Sequence, residues 1–163
     1  MKTLLSLFTL FLCISLSLNT GCGKNGDAAM AETDTPVTEI TITGDDRMRF
    51  APTRFTVRAG HRITLTLDNI GRMPKESMGH NLVILDQGVA PNAFAAASVG
   101  FPQNEYIAPQ FENRVIAATT VLGPGEQETI TFIAPATPGE YPFVCSFPGH
   151  TQARMVGIMI VIP

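Results

Sequence analysis

From residue 37 onward the chain alternates apolar and polar positions in short runs. "RITLTLDN" carries the pattern most plainly: Ile63, Leu65 and Leu67 would face one way, Thr64, Thr66 and Asp68 the other. "VTEITIT", "RFTVRAG", "NRVIAATTVL" and "ETITFIA" repeat it, and "MVGIMIVI" closes the chain as a nearly continuous apolar strand. Successive side chains on a strand point to opposite faces, so a period of two marks a strand with one buried side. Turn residues separate the runs: Ala59 and Gly60, Asn69 and Gly71, Gly123, Pro124 and Gly125, then Pro138 and Gly139. No long helical period is present. The pattern predicts an all-β fold, an antiparallel sandwich of short strands.

One region breaks the alternation. "APNAFAAASVGF", residues 90–101, is rich in alanine and predicts a short helix inside a long excursion between strands. "PQNEYIAPQFE" continues that excursion as loop, and the chain has no internal repeat.

The N-terminus follows other rules. "MKTLLSLFTLFLCISLSL" carries one positive charge, Lys2, and then an apolar run to Leu18. That is the pattern of an export signal, and the run is short for a membrane span. It ends in "LNTGC", where Gly21 directly precedes Cys22. This resembles a bacterial lipoprotein processing site, although Asn19 stands where that motif usually has leucine. Two readings follow for residues 1–21: a lipoprotein-type signal that leaves a lipidated Cys22, or an ordinary cleaved signal with a free cysteine nearby. Both send the chain out of the cytoplasm, to the periplasm or cell surface, and the first anchors it to the membrane. Residues 22–36, "CGKNGDAAMAETDTP", lack apolar periodicity and read as a flexible linker. The folded domain is expected over residues 37–163.

Composition then narrows the function. The 163 residues are 45% apolar and 15% charged, enough apolar content for a real core. Without Lys2 the chain keeps 10 basic and 14 acidic side chains, a formal charge of −4, which argues against nucleic acid as a partner. Of three cysteines, Cys13 lies in the leader and Cys22 at its border, so only Cys145 remains in the domain. An exported domain ordinarily pairs its cysteines. A single thiol is either a small buried hydrophobe or a metal ligand.

The surroundings of Cys145 favour the metal. "VCSFPGHTQARM" places Cys145, His150 and Met155 at short intervals, with a bend at Pro148 and Gly149. Cys145 ends the strand "YPFVCSF", Met155 begins the last strand, and His150 lies on the loop between them. His80, in "SMGHNLVIL", arrives from a neighbouring strand. Two imidazoles and a thiolate with a weak axial thioether form the trigonal site of blue copper proteins. His61, after Gly60 in a turn, reads as solvent-exposed instead.

On these residues the chain from about Val37 to Pro163 resembles a cupredoxin of the azurin and auracyanin group. "DDRMRFAPTRFTV", "GRMPKESMGHNLVIL", "RVIAATTVLGPGEQETITF" and "CSFPGHTQARMVG" resemble that family's segments in order. The resemblance implies a Greek-key sandwich of about eight strands with a helical flap, and one type 1 copper ion held by His80, Cys145, His150 and Met155. It further implies a weak contact from the Gly79 carbonyl, and Asn81 tying the two ligand loops together. Met48, Met73, Met78, Phe147 and Pro148 match an apolar docking patch around the edge of the second histidine. The chain departs from the family in three ways. Four residues separate His150 from Met155 where azurins usually have three, the azurin disulfide is absent, and Leu82 replaces a common tryptophan.

An enzyme is not expected. A multicopper oxidase needs many more histidines, and here Val144 and Ser146 flank Cys145 while only His61 remains after two histidines bind copper. No Ser/His/Asp set is left for hydrolysis. The expectation is a monomeric electron carrier cycling Cu(II)/Cu(I) between redox proteins, such as a cytochrome c or a membrane-bound electron-transfer complex. The alternative is a copper carrier or storage protein that hands over the ion, for which exposed methionines would speak. A site with a cysteine ligand is built to retain its metal.

Overall fold

The computed structural model describes residues 36–163. The leader, Cys22 and nearly all of the expected linker lie outside the described residues. Among the described residues, nine strands form two packed sheets. In chain order they are β1 (Glu39–Asp45), β2 (Arg49–Ala51), β3 (Arg54–Arg58), β4 (Arg62–Asn69), β5 (Val83–Leu85), β6 (Val115–Ala118), β7 (Gln127–Ile133), β8 (Gly139–Val144) and β9 (Val156–Ile162). One sheet has the order β2-β1-β4-β7, the other β3-β9-β8-β5-β6. Two short α-helices, α1 (Lys75–Met78) and α2 (Pro91–Ser98), and two 3-10 turns, Pro102–Asn104 and Pro109–Arg114, in the stretch expected as loop, lie between β4 and β6. Among the described residues no helix is long and apolar enough to cross a membrane.

The alternation places the core as expected. Ile63, Leu65 and Leu67 of β4 are fully buried and meet Phe55, Val57, Leu82, Ile84, Phe143 and Met159 from the facing sheet. Leu82, the residue at the expected tryptophan position, fills part of this core. Strand β5 is buried on both faces. Leu82 and Ile84 face the sandwich, while Val83 and Leu85 turn to a second cluster with Val89, Phe94 and Val144. The excursion after β5 covers that outer face, and its Phe94 and Phe111 rings meet edge-on at 5.4 Å. Pro91 at the first turn of α2 explains where that helix starts, since proline lacks only an N–H that has no helical partner there.

Two details differ from the antiparallel sandwich that the alternation predicts. β1 pairs with β4 in parallel, and β3 with β9. After the β1/β2 hairpin the chain crosses to the other sheet as β3 and returns as β4, running in the direction of β1. A period of two reports burial, not strand direction. The ninth strand is β2, whose three residues are too few to show a period.

Candidate metal centre

The centre lies at one end of the sandwich, where β1, the segment before β5 and the β8–β9 loop converge. That loop is closed by its own backbone. The Cys145 N–H donates to the Met155 carbonyl at 3.1 Å, and the Met155 N–H to the His150 carbonyl at 2.9 Å. The Thr151 hydroxyl donates to the Cys145 carbonyl at 2.7 Å. Gly149, at φ 87°, supplies the left-handed bend that turns His150 inward. The four residues between His150 and Met155 close with Arg154 at φ 73°.

His80 is fixed by backbone on two sides. Its own N–H and carbonyl pair with Leu122 at 3.0 and 2.7 Å. Its ring Nε2 lies 3.0 Å from the Asp45 carbonyl at the end of β1. A carbonyl only accepts, so Nε2 carries the hydrogen and Nδ1 turns its lone pair to the centre. Gly79, before it, is packed so closely that a Cβ would stand 2.6 Å from Val121 Cγ1.

Three donor atoms meet there. His80 Nδ1 stands 3.2 Å from His150 Nδ1, and Cys145 Sγ stands 3.9 Å from the first and 3.3 Å from the second. All three residues are buried. Donors about 2.0–2.3 Å from one first-row ion, arranged trigonally, lie about 3.5–3.8 Å apart. The donor set and its separations therefore fit a single metal ion. Met155, fully buried, sits beside them: its methyl and His80 Cδ2 would each stand 3.1 Å from a Cβ on Gly44.

Burial sets the protonation of the three. It lowers the pKa of His80, and with the neighbouring His80 ring it lowers that of His150 to about 4. Both rings are neutral near pH 7, with lone pairs free to bind a cation. Burial pushes the Cys145 thiol up to about 12, opposed by N–H groups of Asn81 and Phe147 aimed at the sulfur. A thiolate in that place needs a cation against it, and coordination to a metal deprotonates a thiol outright.

Residues 37–162 match the family described as copper binding proteins, plastocyanin/azurin. The chain belongs to that family. Azurin from Pseudomonas denitrificans is 38% identical to it over 127 residues, a match covering 74% of this chain and 94% of that protein. Outer membrane protein H.8 from Neisseria meningitidis is 38% identical over 112 residues, covering 68% of this chain but only 60% of its relative. Among solved structures, dithionite-reduced auracyanin from the photosynthetic bacterium Roseiflexus castenholzii is similar with a TM-score of 0.71 and 34% identity, covering 79% of this chain and 100% of that one. The expected membership in the azurin and auracyanin group is borne out, and copper is the metal that family and donor set share.

The other sequence-predicted residues are placed as follows. Asn81 is buried, and its amide joins the two ligand segments: Nδ2 donates to Ser146 Oγ at 2.8 Å, and Oδ1 accepts the Ser146 N–H at 2.8 Å. Met73 is exposed, while Met48, Met78 and Pro148 are half-buried. Phe147 lies largely inside, with its ring 4.8 Å from that of His150, so it forms the floor of the expected patch rather than its surface. His150 itself keeps only 2% exposure. His61 is exposed, as expected.

Three contributors escaped the sequence reading. Gly44 and the Asp45 carbonyl act through backbone, and a carbonyl acceptor has no residue signature. Ile70, three residues before Met73, is an exposed apolar side chain at 55%, and its N–H bonds to the Gly44 carbonyl beside the centre. Its place after the strand "RITLTLDN" was the available signal.

Proposed function

We propose that the chain is a one-electron carrier whose copper would be held by His80, Cys145 and His150, with weaker contacts from the Met155 thioether and the Gly79 carbonyl. The observation that carries this reading is the convergence of two imidazole Nδ1 atoms and one thiol sulfur within 3.2–3.9 Å in a buried pocket. Copper bound there supplies Cu(II)/Cu(I) redox chemistry. The protein's own part is rigidity. Asp45 orients His80, the loop's backbone bonds hold His150 and Met155, and the Asn81 amide holds the exit of Cys145. Such outer bonds keep ligand positions similar in both oxidation states. Burial of all three donors, one of them a cysteine, favours retention of the ion over its delivery.

Electrons would enter and leave through His150, under a partner docked on the surface of Ile70, Met73, Met78 and Pro148. A cytochrome c or a membrane-bound electron-transfer complex suits that role, with the carrier acting as a monomer. The domain, residues 37–163, would work outside the cytoplasm, in the periplasm or at the cell surface. A lipidated Cys22 would hold it to a membrane, with residues 22–36 as tether. The similarity to an outer membrane protein supports this placement. The test is reversible reduction of the copper-loaded protein by a one-electron donor, followed by its optical spectrum. Loss of the metal on reduction would instead favour a copper carrier.

A further inference from the structure

Two consecutive residues of the excursion, Glu105 and Tyr106, hold φ of 51° and 55°, and neither is glycine. Backbone of this kind persists where the surroundings over-determine it, and it collects at functional sites. The surroundings here are the neighbours of the metal ligands. The Glu105 carbonyl accepts Asn81 Nδ2 at 2.8 Å and lies 3.3 Å from the Ser146 hydroxyl, whose hydrogen it shares with Asn81 Oδ1 at 3.2 Å. Asn81 follows His80 and Ser146 follows Cys145, so one carbonyl holds the chain neighbours of two ligands.

The side chain of the same residue turns the other way. Glu105 Oε2 accepts the Val121 N–H at 2.6 Å. Val121 precedes Leu122, which pairs with the His80 backbone. Val121 also packs on Gly79, where a Cβ would stand 2.6 Å from Val121 Cγ1. Tyr106 completes the set: its ring meets Phe147 edge-on at 5.3 Å, and Phe147 lies against His150. These two residues reach the surroundings of all three donors.

We propose that Glu105 is a positioning residue for the metal centre. Its carboxylate, bonded to the Val121 N–H, fixes the left-handed backbone that aims its carbonyl at Asn81 and Ser146. The excursion is thereby locked onto the ligand segments, and the lock sets the orientation of the Cys145 and His80 side chains. This rests on the copper reading above.

Three variants separate the bond from the charge. Glu105→Gln keeps an acceptor oxygen at full reach, Glu105→Asp keeps the charge but falls one methylene short, and Glu105→Ala removes both. The copper-loaded proteins are compared by visible spectrum and reduction potential, and the copper-free proteins by amide hydrogen exchange at Val121 and Ser146. Alanine and aspartate should shift spectrum and potential and speed exchange at both amides at least tenfold, while glutamine stays close to wild type. If Glu105→Ala does not fold, aspartate against glutamine decides. A lowered melting temperature with unchanged spectrum and potential would reduce Glu105 to a structural role and overturn the proposal. Glutamine behaving like alanine would also overturn it, since charge and not the bond would then act. A colourless wild type would sink the copper reading alone, because amide exchange still tests the lock.

Discussion

Gly44 lies directly against Met155: a Cβ at this glycine would stand 3.1 Å from the Met155 methyl and 3.1 Å from His80 Cδ2. A contact that close forces a neighbour to give way, and both neighbours belong to the metal centre. Gly44→Ala should therefore cost about 1–3 kcal/mol by overpacking, and it should shift the optical spectrum of the copper protein. Urea denaturation and absorption measure the two effects. An unchanged spectrum would mean that the methyl and ring move aside without disturbing the ligands.

The patch makes a different prediction. Met73 is 43% exposed, and its N–H bonds to Asp46 at 3.3 Å. Met73→Asp would bring a second carboxylate beside Asp46 and leave it desolvated under a docked partner. Electron self-exchange should fall at least about tenfold, equivalent to about 1.4 kcal/mol, with the spectrum unchanged. Met73 suits this test better than half-buried Met78, whose replacement would also perturb packing. A normal rate would place docking elsewhere.

Much of this was legible in the chain, for physical reasons that also mark where it stopped. Burial on one face writes itself as alternation, so β4 could be read from Ile63, Leu65 and Leu67. The apolar "LVIL" reads as a strand, and its burial on both faces follows from Val83 and Leu85 meeting the excursion. Pairing direction leaves no such trace, and β1 and β4 turned out parallel. The helix α1, four residues after Pro74, is too short to carry a period. His80, Cys145, His150 and Met155 stand out because their side-chain chemistry is uncommon. The Asp45 carbonyl and the backbone of Glu105 do not, because every residue has a carbonyl and only the fold decides where it points.

Protonation links the centre to stability in the copper-free protein. His150 has its pKa lowered to about 4 in the fold, against about 6.5 unfolded. The unfolded chain thus binds the extra proton between these values, so stability is full above about 6.5 and declines as pH falls toward about 4. His80 shifts in the same direction. Chemical denaturation of copper-free protein across this range should show the decline, and His150→Gln should lessen it, leaving the part due to His80. A wild-type stability that is flat over this window would contradict the burial argument.

Anchoring is tested in cells. Cys22→Ala should leave the protein unprocessed or release it from the membrane fraction. A wild type found wholly soluble, with processing unaffected by the substitution, would favour the ordinary cleaved signal.

The central claim is that Cys145, with His80 and His150, binds copper as a thiolate. The visible spectrum of copper-loaded wild type beside Cys145→Ser tests it most directly, with circular dichroism as a check that the sandwich remains. The wild type should show intense thiolate-to-copper absorption, blue or green, and Cys145→Ser should lose it while staying folded. Intense colour retained without the sulfur of Cys145 would contradict the account.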